Sequence, residues 1–150
     1  MTLYAESSAV LAWLLEQEHG DVVATTLAGA ALVIASDLTL IECDRVLIRA
    51  VAINELRESD LVQRQARLNA VSARWTLLTL DEEISERARR PFPAEPVRTL
   101  DAIHMASALI ARKAIPDIAM LSLDDRVRDA AAHLGFRLLP GDGDLPAVSG

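Results

Sequence analysis

Apolar runs and amphipathic stretches alternate along the chain, and their periods predict strands and helices in turn. Residues 2–5 read as a short strand, and 9–18 as a helix with Ser7 or Ser8 as its cap. Residues 20–29 read as a second helix, ending near Gly29. The run "ALVIAS" (31–36) suits a strand buried on both faces. A long apolar helix follows at 38–53, then a polar amphipathic one at 57–73. On the latter, Leu61, Val62, Ala66 and Val71 are predicted inward, and Arg57, Arg64, Gln65 and Arg74 mostly outward. "WTLLTL" (75–80) is a third strand candidate, after which Asp81 caps a helix to about Arg89. The three prolines of "PFPAEPV" (91–97) make that segment a loop. Residues 99–113 form another apolar helix, "IAMLSL" (118–123) a fourth strand, and 125–134 a helix ending at Gly135. "FRLL" (136–139) reads as a short edge strand.

Strands alternating with helices imply a parallel sheet covered on both faces. No linker or internal repeat interrupts the pattern, and 150 residues suit one compact domain. The expected division is a domain over 1–140 and a frayed, flexible tail over 141–150.

Composition sharpens this reading. A hydrophobic fraction of 51% with only 3% aromatic residues calls for an aliphatic core. The net charge of −7 argues against a broad nucleic-acid-binding surface. Four clustered acids around a divalent metal would account for much of that deficit, however. Lys113 is the sole lysine among 15 basic residues, and arginine suits both phosphate contacts and surface ion pairs. Cys43, the sole cysteine, excludes an internal disulfide and is expected to be buried. The N-terminus lacks a basic, cleavable leader, and no apolar segment nears the ~18 residues of a membrane span. A cytoplasmic protein without membrane attachment is the expectation.

In parallel α/β sheets, ligands bind beyond the carboxyl ends of the strands. Glu6 ends the first strand and Asp124 the fourth; Glu42 and Asp101 lie in the opening turns of two helices. Each has a structural explanation, because acids near helix N-termini are favoured by the dipole. "TLIE" (39–42) matches a capping box, with Thr39 as cap and Glu42 reaching back. Asp124 fits an N-cap. Glu6 precedes the expected caps, so capping explains it less well. Gathered together, four carboxylates would repel one another, and a hard divalent cation would relieve this. Such an ion activates water and binds a phosphoryl oxygen, which points to phosphodiester hydrolysis.

At these residues the sequence resembles the PIN-domain family, and within it the VapC-type toxins of bacterial toxin–antitoxin pairs. "LYAESSAVLAWLL" resembles the family's opening block and "SDLTLIECDRVL" its second. "RTLDAIHMASAL" resembles the third, and "MLSLDDRVRDAAAHLGF" the fourth. The match reaches to about Leu139. The resemblance implies a three-layer α/β/α sandwich with a central, mostly parallel sheet of four to five strands. It also implies a metal-dependent endoribonuclease using Mg²⁺ or Mn²⁺, an RNA substrate, a cognate antitoxin protein and a homodimer. The implied catalytic and metal-binding residues are Glu6, Glu42, Asp101 and Asp124, around one or two ions. One departure stands out: the family's first acid is usually aspartate. Glutamate moves the carboxylate outward by roughly one bond length, and metal sites tolerate only small errors in ligand distance. The alternative is a weak or inactive PIN-fold module that binds RNA or a partner.

Several positions have supporting roles open to them. Ser8 falls where the family commonly has a hydroxyl near the metal, and is equally a helix cap. Ser122 is a carboxylate partner or a cap. Asp125 rivals Asp124 for the fourth ligand. His104, one turn after Asp101, orients a carboxylate, touches substrate or is structural. Arg45 is expected to pair with Glu42, and Arg49 is a candidate for gripping RNA phosphate. Asp44 should face away from the site, about 200° round the helix from Glu42. Trp13 and Trp75 are expected in the core or a dimer contact. A phospho-accepting receiver domain would need a lysine near the acids, and Lys113 lies at the far end of its helix.

Overall fold

A computed structural model describes residues 1–145. Its elements run β1 (Thr2–Ala5), α1 (Ser7–Leu14), α2 (Gly20–Gly29), β2 (Leu32–Ser36), α3 (Asp37–Ala52), α4 (Glu58–Ser72) and β3 (Thr76–Leu78). Then come α5 (Glu82–Ala88), α6 (Thr99–Ala114), β4 (Ala119–Leu121), α7 (Asp125–His133) and β5 (Leu138–Leu139). The five strands form one sheet in the order β3-β2-β1-β4-β5, and every pairing is parallel. Leu3 of the central strand lies opposite Val33 on one side and Ala119 on the other.

The period-two alternation of the strands sorts the core into two layers. Leu3, Ala5, Val33, Ala35, Ala119 and Leu121 face one side, where Val10, Leu14, Val23 and Leu68 of the helices cover them. Tyr4, Ile34 and Met120 face the other, against Met105 and Ala108 of α6, Val127 and Ala130 of α7, and Phe136. Helices on both faces of a parallel sheet make the three-layer α/β/α sandwich expected. Cys43 is fully buried in the first layer. Gly20 opens α2 where a Cβ would stand 2.5 Å from the Ala12 carbonyl oxygen, so only glycine allows this approach of α2 to α1. No helix of the described residues is long and apolar enough to cross a membrane.

The structure corrects three local expectations. Helix α1 begins at Ser7, and its cap is Glu6 rather than either serine. Helix α3 begins at Asp37, so Thr39 lies inside it and donates from Oγ1 to the Ala5 carbonyl at 3.0 Å. The "TLIE" capping box therefore does not form. On α4 the buried positions are Leu68 and Ser72, whereas Val62 is 65% exposed and Ala66 is exposed. Arg64 turns in instead, its stem covering apolar surface while Nη1 donates to the Leu14 carbonyl at 2.7 Å. Beyond β5, Arg128 donates to the carbonyls of Ser122, Leu139 and Pro140 and pairs with Asp142 at 3.0 Å. The boundary at 140 remains our proposal, and residues 146–150 of the expected tail lie outside the described residues.

A candidate metal centre at the carboxyl edge of the sheet

The connections leaving β1, β2 and β4 bring the N-termini of α1, α3 and α7 to the carboxyl edge of the sheet. Glu6 stands at the first of these, 4% exposed. Its Oε1 accepts from the Ser8 backbone N–H at 3.1 Å and lies 2.9 Å from Ser7 Oγ. Its Oε2 accepts from Ser122 Oγ at 2.7 Å and from Ser8 Oγ. Four donors thus occupy the roughly four acceptor positions a carboxylate offers. The Ser8 hydroxyl in turn accepts from the Leu123 and Asp124 N–H groups at 3.0 and 3.1 Å. Glu6, Ser8 and Ser122 thereby knit the β1–α1 junction to the β4–α7 junction.

Glu42 sits beside this knot. Ser7 Oγ is 3.0 Å from Glu42 Oε1 and 2.9 Å from Glu6 Oε1, so one hydroxyl proton serves two carboxylates. His104 Nε2 approaches the same Glu42 oxygen at 2.5 Å. A carboxylate only accepts, so Nε2 carries a proton. On the other side of the ring, Nδ1 lies 2.8 Å from the Tyr4 hydroxyl, which also contacts Ser36 Oγ at 3.0 Å. Tyr4, Ser36 and His104 are 0%, 0% and 1% exposed, so this hydrogen-bonded chain runs through dry core. Burial pushes the Tyr4 phenol well above its ordinary range, which keeps it a neutral hydrogen-bonding group.

Asp124 caps α7, with Oδ1 accepting from the Arg126 and Val127 N–H groups at 2.9 and 3.2 Å. Asp101, half-buried in the first turn of α6, meets no hydrogen-bond donor among the described residues. Burial raises its carboxyl pKa, as do the charges of Asp124, Glu6 and Glu42, while His104 works in the opposite direction. Among the described residues, the oxygens without a protein donor are Glu42 Oε2, Asp124 Oδ2 and both of Asp101. Oxygen donors of this kind suit a hard divalent cation, and Asp101 feels the charges of Asp124, Glu6 and Glu42. Glu42, Asp101 and Asp124 do not, however, bring one oxygen each within 4.8 Å of one another. The group that does meet this spacing among the described residues is Glu6, Glu42 and His104, one ligand atom each within 4.8 Å. The expected ligands Asp101 and Asp124 lie outside it, and His104, expected only as a support, lies within it.

Other expected positions sort themselves. Asp125 is exposed beside the cap. Asp44 points toward α4 and accepts from Gln65 at 3.3 Å. Arg45 and Arg49 are exposed on α3, and the expected Arg45–Glu42 pair does not form; Glu42 takes Ser7 and His104 instead. Lys113 binds Glu83 at 2.7 Å, at the opposite end of α6 from Asp101. Trp13 and Trp75 are half-buried against the first layer of the core. Sequence reasoning misses Ser7 as a bridge and Tyr4 as the support of His104. The available signal for Tyr4 is that it is the chain's one tyrosine, set in an aliphatic strand.

The PIN domain family model matches residues 3–133. The chain is 30% identical over 142 residues to Ribonuclease VapC35 of Mycobacterium tuberculosis (strain CDC 1551 / Oshkosh), covering 93% of this chain and 97% of that protein. The same protein from strain ATCC 25618 / H37Rv gives the same figures. Among solved structures, M. tuberculosis VapC20, described as a sarcin–ricin loop cleaving toxin, superposes with a TM-score of 0.60 at 16% identity. It covers 85% of this chain and 94% of its own. VapBC2 from Rickettsia felis, solved bound to a DNA fragment from their promoter, gives a TM-score of 0.62 at 9% identity, with 92% and 97% covered. At those identities the two structures speak to the fold alone.

Proposed function

The chain belongs to the PIN-domain family, among its VapC-type ribonucleases, and we propose that it is a metal-dependent endoribonuclease acting as the toxin of a toxin–antitoxin pair. The observation that carries this reading is the acidic cluster beside the sheet edge: Glu6 and Glu42 with His104 within 4.8 Å, and Asp101 close enough to feel the charges of Glu6, Glu42 and Asp124. Glu42, Asp101 and Asp124, with Glu6 behind them, would hold one or two Mg²⁺ or Mn²⁺ ions. A cation held there would polarise a phosphoryl oxygen and help water attack phosphorus. The protein's own part is positioning. His104 and Ser7 fix one oxygen of Glu42, and the other meets no donor among the described residues. The N–H groups of α7 do the same for Asp124. Ser8 and Ser122 lock Glu6, and with it the junctions that carry the ligands.

The test compares wild-type protein with Asp101→Asn on single-stranded RNA in Mg²⁺ or Mn²⁺ and in EDTA. Cleavage should require the metal and be lost in the variant, with its fold unchanged by circular dichroism. Undiminished metal-dependent cleavage by Asp101→Asn would refute the assignment. Family membership also supports a cognate antitoxin partner, a homodimer and a cytoplasmic location, which we include in the proposal. Copurification with the product of an adjacent small gene tests the first.

A second reading is favoured by one observation. Four protein donors already occupy the Glu6 carboxylate, so as a direct ligand it would have to give one up. On this reading the chain is a weak or inactive PIN-fold module that binds RNA or a partner. Glu6→Asp separates the two: a large gain from no activity favours the module, and equal activity removes its motivation.

A further inference from the structure

Beside Asp101, between the proline-rich loop and the start of α7, lies a cleft of about 360 Å³. Its walls include Pro96, Val97, Arg98, Asp101, Arg126 and Asp129. The volume falls in the lower part of the ~300–1,000 Å³ range of ligand clefts. Arg98 and Arg126 are both exposed. Among the described residues the arginines that form ion pairs are Arg57 and Arg128, so neither cleft arginine has a carboxylate partner. Asp129, one turn after Arg126 on α7, stands 3.7 Å from His133.

A second arginine-rich cleft differs in what its cations are doing. That cleft, of about 510 Å³, holds Arg87, Arg90, Arg112 and Lys113 between α5 and α6. Three of its cations are committed. Lys113 binds Glu83; Arg112 stacks on Phe136 and donates to the Leu134 carbonyl; Arg87 stacks on Phe92 and donates to two carbonyls. It also lies at the end of α6 remote from Asp101, about 18 Å along the helix at 1.5 Å per residue. In the cleft of Arg98 and Arg126 neither guanidinium meets a carboxylate partner among the described residues, and Asp101 lines its wall.

A polyanion brought to four carboxylates on a protein of net charge −7 needs cations close to the point of reaction. Guanidinium groups supply bidentate contacts to phosphate oxygens without reading the base. Resting on the endoribonuclease reading above, we propose that this cleft binds the RNA phosphodiester next to the one cleaved, gripped by Arg98 and Arg126. Pro96 and Val97 form an apolar wall for the attached ribose.

The experiment measures binding of a fluorescent single-stranded RNA oligonucleotide by anisotropy over a salt series, in EDTA and in Ca²⁺. The proteins are the wild type, Arg98→Ala/Arg126→Ala and Arg98→Lys/Arg126→Lys. The alanine pair should weaken binding about tenfold and flatten the salt dependence by about 0.7 for each phosphate no longer neutralised. The lysine pair should recover most of the affinity. In Mn²⁺ the alanine pair should raise KM far more than it lowers kcat. Unchanged affinity and salt slope in the alanine pair would overturn the proposal, as would absence of RNA binding by the wild type in both conditions. The two readings fail separately. If the wild type binds RNA through these arginines but never cleaves it, the nuclease reading falls and the cleft stands. If it cleaves, and the alanine pair cleaves with the same KM, only the cleft falls.

Discussion

Replacing Tyr4 by phenylalanine tests whether the buried relay behind Glu42 supports the fold and the site together. Phenylalanine keeps the ring against Ile34, Met105 and Met120 and removes one oxygen. That oxygen stands 2.8 Å from His104 Nδ1 and 3.0 Å from Ser36 Oγ, both in dry surroundings. A buried polar group left without a partner costs about 1–3 kcal/mol. Two are orphaned here, and rotation of the Ser36 hydroxyl recovers part, so the expected loss is roughly 2–4 kcal/mol. For a chain of this size each kcal/mol lowers Tm by about 2–4 °C, giving a drop of roughly 5–15 °C. Urea unfolding should show a lower midpoint with an unchanged m-value, because the surface exposed on unfolding is the same. A second readout follows from His104 losing its support: Glu42 is less firmly aimed, and Mn²⁺ affinity falls. A loss under about 0.5 kcal/mol, within the range of ordinary surface substitutions, would refute the relay as a structural element.

Two further predictions concern the acids. Glu6→Gln keeps one acceptor oxygen and so surrenders about half of four hydrogen bonds to a charged group, each worth ~1.5–3 kcal/mol before hydroxyl rotation recovers some. Urea unfolding should register a loss of about 2–3 kcal/mol, while calorimetric Mn²⁺ affinity drops less than tenfold; a hundredfold drop would make Glu6 a direct ligand. Asp101 has its pKa raised in the folded chain by burial and by neighbouring acids. Between its ordinary value, about 3.9, and that higher one, the folded state holds a proton that the unfolded state has lost, so stability falls as pH rises through this window. In EDTA at neutral pH, Asp101→Asn should therefore be more stable than the wild type, and the advantage should vanish below about pH 4. Saturating Mn²⁺ should reverse the order; equal melting temperatures across pH in EDTA would refute the repulsion.

What is legible in the sequence follows from how local each signal is. Strand and helix periods are properties of short windows, so the five strands and the helices can be read directly. The sheet-edge rule then converts chain position into an expected spatial position for Glu6, Glu42 and Asp124, whereas Asp101 needs its helix to start at that edge, which no local signal fixes. Caps are less legible. Glu6, Ser7 and Ser8 are all competent acceptors, and the choice among them is made by Ser122, 116 residues away from Glu6. The role of His104 depends on Tyr4, 100 residues distant, and on a hydrogen bond that exists only once β1 and α6 pack. The inward face of α4 is misread when arginine is assigned to solvent by type, because the long stem of Arg64 covers α1. Arg98 and Arg126 give no periodic signal at all. One precedes a helix and the other begins one, and only folding sets them across a common cleft.

The division of labour among the acids follows from which of their oxygens the protein already holds. Glu42 and Asp124 each have one oxygen tied to the protein, which fixes the carboxylate while the other oxygen meets no donor among the described residues. Asp101 meets no donor among the described residues and bears the electrostatic cost of its neighbours, so it has the most to gain from a cation. Any ion that binds the folded chain and not the unfolded one adds stability by mass action, and here it also removes that cost. Glu6 is the reverse case. Its extra methylene lets the carboxylate reach Ser122 and hold two helix junctions, and the same reach fills its oxygens with protein donors. An acid in that state shapes the site through charge and rigidity. On the proposed reading, the residue at this position can therefore depart from the family's aspartate while Glu42, Asp101 and Asp124 keep oxygens that no protein donor occupies among the described residues.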